Sequence, residues 1–158
     1  MLKLIVFASL TLVIQANGQI GENHNVATFE STHPGTTLFY AQDGRISRVY
    51  GKTFAEGSSP TDTATSFINE WAGIWNCDET DLVPTGPWGG GHHIQPMMYD
   101  PESGTYKFTG VGYMQTVDGV PVYGSRLTVL VRNEMNYPAV RVTADLHLLN
   151  DFQIPSER

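Results

Sequence analysis

Hydrophobic and polar residues alternate most regularly near the end of the chain. Val140, Val142, Ala144, Leu146 and Leu148 take every second position, with Arg141, Thr143, Asp145 and His147 between them. A period of two predicts a strand over 139–149 with one buried and one wet face. A helical period appears earlier, where Ala64, Phe67, Ile68, Trp71, Ile74 and Trp75 make one apolar face. Ser59 suits the cap of that helix, Pro60 its first position and Asp62 its positive end. The helix is expected to end near Asn76, with Gly73 weakening its last turns slightly. Short strands are expected over 37–40 and 45–50 around the turn Asp43-Gly44. The segment 82–94 is rich in Gly and Pro and reads as a loop. From His92 the chain becomes extended, and the turn formers DPESG separate that run from a strand over 106–117. Asp118-Gly119 opens a second hairpin with 120–132, and 133–138 makes a third turn. Residues 19–36 are polar and aperiodic and are expected to be loose. The sum is an α+β fold, with one amphipathic helix packed on an antiparallel sheet of three or four strands, a meander of hairpins.

One strand is interrupted. In QTVDGVPVYGSRLTVLV, residues 115–131, the second half is apolar and β-branched, while the first holds Asp118-Gly119, Pro121 and Gly124. Pro121 donates no backbone hydrogen bond, which places it at an edge or a bulge. The apolar register runs Val120, Val122 and then shifts to Leu127, Val129, Val131, which marks Gly124 as the expected bulge.

The N-terminus adds a processing signal. Met1-Leu2-Lys3 is a short positive start, residues 4–14 are apolar but too few to span a bilayer, and Ala16-Asn17-Gly18 offers a cleavage site. Residues 1–18 therefore read as a signal peptide, and the mature product is expected to be exported, with no membrane attachment after cleavage. Of the 158 residues, 9 are Lys or Arg and 16 are Asp or Glu, a net charge of −7 that argues against a nucleic-acid partner. Cys77 is the only cysteine, so no disulfide forms within the chain. Its place after a Trp-rich helix suits a buried small apolar residue.

Candidate chemistry is sparse. Gly89-Gly90-Gly91-His92-His93 invites a metal or phosphate reading. A phosphate cradle needs a helix after the glycines, and here a strand follows. Adjacent histidines on a strand point to opposite faces, so His92 and His93 are weak metal candidates. No HExxH and no GxSxG occurs. Asp78, Glu79 and Asp81 follow the helix as a solvated loop. The residues make no case for an enzyme or a cofactor.

The interrupted strand carries a resemblance. Gln115, then Gly119-Val120-Pro121-Val122-Tyr123-Gly124, then Leu127, Val129 and Val131 resemble the central motif of the FTP domain, the fungalysin/thermolysin propeptide family. The likeness covers about 37–150, leaving 151–158 as a tail or the start of a linker. It departs from the family at Ala144, where a Gly is common, and in a longer loop over 85–100. The resemblance implies a secreted, non-catalytic pro-region that assists the folding of a zinc metallopeptidase and inhibits it, in cis or in trans. The partner-binding edge is then expected along Gln115, Gly119, Val120, Pro121, Val122, Tyr123, Gly124 and Arg126. Two other readings are a structural or adhesion module of a larger exported protein, and a weak metal binder through the His loop.

Overall fold

The computed structural model describes residues 23–86 and 91–149. The expected signal peptide, the tail 151–158 and Gly89-Gly90 lie outside the described residues. Among the described residues the architecture is α+β, with eight strands in one antiparallel sheet and two α-helices. Among the described residues, no helix is long and apolar enough to cross a membrane.

The expected helix is present as α2, Pro60–Trp71. Ser59 accepts a hydrogen bond from the Asp62 amide at 3.1 Å and so caps it, with Pro60 in the first turn. Its last turn tightens into a 3-10 helix, Ala72–Trp75, and Asn76 closes it in the left-handed conformation. Thr63, Ala64, Phe67, Ile68 and Trp71 are its buried face. They lie against the inward side chains of β2 (Ile46–Ala55), β5 (Thr105–Val117), β7 (Arg126–Arg132) and β8 (Ala139–Asp145). Val49, Val111, Leu127, Val129, Val131 and Val142 on those strands are fully buried. Leu127, Val129 and Val131 alternate with half-exposed neighbours, as the strand pattern predicts.

Four expectations need correction. The segment 19–36 is not loose over its described part, since His24–Thr32 forms α1. Asn23 caps it by accepting from the Asn25 amide at 2.9 Å. Only Phe29 is fully buried there, so a helical period has almost nothing to show in the sequence. Gly73 does more than weaken a helix end. A Cβ at Gly73 would collide with the Asn25 side chain, so the glycine lets α1 approach. The sheet is also larger than a meander. β1 (Thr36–Tyr40) pairs with β2, and β2 lies beside β8, so the first strands join the last. The segment expected to be a loop holds β3, Leu82–Pro84. β3 and β4 (His93–Asp100) follow one another along one edge of β5. On the other edge of β5 lie β7 and the two-residue β6, Val120–Pro121. Thus the 13-residue β5 is the spine on which four strands are laid.

Candidate functional site

The interrupted strand becomes a projecting tip. Val117 pairs with Val120, so Asp118 and Gly119 form a two-residue turn. Both have positive φ, 49° and 79°, as a type I′ hairpin requires. Past Pro121 the ladder breaks. Thr116 faces Pro121 and Tyr113 faces Leu127, so the five residues 122–126 on one side stand opposite only Met114 and Gln115 on β5. The surplus is absorbed in a second turn, where the Ser125 amide donates to Val122 at 3.2 Å. Gly124 has φ 78° there, the position of a type II turn that favours glycine. The irregularity expected at Gly124 is therefore present, as a turn wider than a single-residue bulge. Pro121 lies at an edge, because β6 pairs only with β5.

The tip is held from behind. The Val122 amide donates to the Gln115 carbonyl at 2.9 Å, and the Gln115 amide donates to Ser125 Oγ at 3.0 Å. The Ser125 hydroxyl in turn donates to the Val122 carbonyl at 2.8 Å. What this frame presents is Tyr123, 99% exposed, with Val120 at 51%. Gly119, Pro121, Gly124 and Arg126 are exposed around them, and Val122 is half-buried.

Gln115 does not share that surface. Its side chain is 2% exposed, on the apolar face of the sheet. Gln115 Oε1 accepts from the His147 amide at 2.9 Å, and Nε2 donates to the His147 carbonyl at 3.0 Å. The side-chain amide thus imitates a neighbouring strand and pins the chain just beyond β8. The expected contact edge is corrected accordingly: Gln115 braces the tip from inside and offers nothing to a partner.

The histidines separate as alternation predicts. His93 lies opposite Gly112 on the open face of the sheet and is exposed. His92 turns inward, its Nε2 3.2 Å from the Tyr113 hydroxyl and its ring edge-on to Tyr113. Burial lowers the His92 pKa and raises that of Tyr113, so both stay neutral partners in one hydrogen bond. Among the described residues, no three His, Cys, Asp or Glu side chains come together to hold a metal ion.

Cys77 is buried, 7% exposed, with Gln115 Nε2 donating to its sulfur at 3.4 Å. Burial first, and the nearby Asp81 charge second, push its pKa up to about 11. A neutral thiol is a poor nucleophile. Labelling by a disulfide reagent at pH 8 is expected to be slow in the native protein and fast in denaturant; equally fast labelling in both would show an accessible thiolate. The folded pKa lies above the unfolded thiol's ordinary value of about 8.5. The stabilisation it reports is complete below that value and is lost as pH rises through about 11. Thermal melts are therefore expected to fall between those limits, and less so in Cys77→Ala.

Fold and tip together define an α+β domain with one antiparallel sheet, a helical layer and a braced aromatic hairpin end. Comparison with family models, curated proteins and solved structures gives no match for this chain.

Proposed function

We propose that the chain is a non-catalytic, exported, propeptide-like module that binds a zinc metallopeptidase of the thermolysin/fungalysin type. The tip over 118–126 makes the contact, and the consequence is assisted folding or inhibition of the peptidase. The observation that carries this reading is Tyr123, wholly exposed on a loop that the rest of the domain holds in one shape. An exposed tyrosine brings large contact area with few rotatable bonds, and tyrosines recur at the energetic centres of interfaces. A loop ordered before binding loses little entropy on binding. The sequence resemblance to a propeptide motif falls on the same residues.

The test is inhibition of, and complex formation with, a thermolysin-like peptidase at micromolar concentration. Tyr123→Ala is expected to weaken the interaction by about tenfold or more, with an unchanged melting temperature because the ring packs against nothing. Absence of both inhibition and complex in the unsubstituted protein removes the proposal. Equal affinity in Tyr123→Ala removes the tip from it.

A further inference from the structure

A second feature lies apart from the tip. α1, the turn from β1 to β2, the 3-10 turn after α2 and the chain just past β8 enclose a groove of about 760 Å³. That is within the usual range for small organic ligands, roughly 300–1,000 Å³. Val26, Ile46, Ile74, Trp75 and Leu146 give it an apolar wall.

The wall is fixed by bonds that cross between elements. Trp75 Nε1 donates to the Ile46 carbonyl at 2.9 Å, Asn23 Nδ2 donates to the Gly73 carbonyl at 2.8 Å, and Arg45 donates to the Leu146 carbonyl. A groove tied in this way exists before a ligand arrives. The rim is acidic, with Glu30, Asp43 and Asp145 set against Arg45 and His147. Arg45 is already engaged, 2.6 Å from Asp43. Among the described residues neither Glu30 nor Asp145 is in an ion pair. The Arg45 charge also reaches Asp145, yet three carboxylates against one guanidinium leave the rim net negative. A bound cation would therefore meet an excess of carboxylate charge beside an aromatic wall.

We infer that this groove binds an apolar group carrying a positive charge, an aromatic or aliphatic amine. The apolar body lies along Trp75 and Ile74, and the ammonium group sits at Glu30 and Asp145. An organic anion of the same shape would bring its charge against those carboxylates and bind more weakly.

The experiment titrates the full chain with 2-phenylethylamine and, separately, with 3-phenylpropionate, two probes of matched shape and opposite charge. The readout is the amide and indole NMR signals, Trp75 Nε1–H above all. A saturable shift is expected with the amine, and binding at least about tenfold weaker with the carboxylate. Glu30→Gln with Asp145→Asn is expected to erase that preference while leaving the spectrum folded. Ala27→Trp, a change at an exposed position on the rim, is expected to block the amine. The inference is overturned by no saturable shift, by equal affinity for the two probes, or by an unchanged preference in the double variant. Binding that appears only after deletion of 150–158 also overturns it, because the occupant would then be the chain's own tail. Tyr123→Ala leaves amine binding unchanged, so failure here and failure of the tip proposal are told apart.

Discussion

Phe29→Ala is expected to cost about 3–5 kcal/mol of folding stability, as for other fully buried Phe side chains. The ring is 0% exposed and joins α1 to the rest of the domain. Its centroid lies 5.0 Å from Trp71, 6.2 Å from Phe54 and 6.4 Å from Phe67, each in an edge-to-face arrangement, and 4.6 Å from His33 in a stack. Alanine leaves a cavity at the meeting of two helices and β2, and these main-chain elements can close only part of it. A small domain is stable by about 5–15 kcal/mol, so the loss is a large share of the whole. Urea unfolding followed by tryptophan fluorescence measures it, since Trp71 is a direct neighbour. The midpoint should fall with little change in slope. Phe29→Leu, which keeps most of the volume, should lose less than about 1.5 kcal/mol. A loss below about 1 kcal/mol for the alanine variant would sink the idea that α1 is an integral layer of the core, whatever its helical shape.

Phe29 also shows where sequence reasoning stops. α2 was readable because five of its residues face the core at helical spacing and because a Ser-Pro pair with Asp62 marks its start. β8 was readable because its two faces meet different surroundings, one apolar and one wet. In α1 a single buried ring anchors nine residues, so there is no periodicity to detect, and only Asn23 hints at a cap. β3 is three residues long, too short for alternation to register. The pairing of β2 with β8 joins positions such as Val49 and Val142, and no local pattern announces so distant a neighbour.

At the candidate site, the turn residues were legible because backbone conformation dictates them: Asp118-Gly119 and Gly124 stand where φ is positive. The direction of the Gln115 side chain was not. A polar residue in such a stretch reads as surface, and its burial depends on a main-chain segment 32 positions away. The groove beside Trp75 was illegible for the same reason, since its wall comes from four separate segments.

Gln115→Leu is the second large effect, expected to cost about 1–3 kcal/mol, the range for leaving buried polar groups without partners. Leucine approximates the volume of glutamine, so the change isolates hydrogen bonding from packing. Three bonds vanish together: two to the main chain of His147 and one to the Cys77 sulfur. His147 itself is exposed, so water can replace part of what is lost, which keeps the expectation below that for Phe29. Hydrogen exchange separates the two roles assigned to this residue. The His147 amide donates to the Gln115 side chain and should exchange much faster in the variant. The Val122 amide donates to the Gln115 main-chain carbonyl, which leucine retains, and should change only as global stability does. The contact made by Tyr123 should then survive, because the tip is braced through backbone and Ser125 groups that the substitution leaves in place. If instead the Val122 amide loses protection as strongly as that of His147, the tip depends on the buried amide. The brace would then be a single cooperative unit running from β8 through Gln115 to Tyr123.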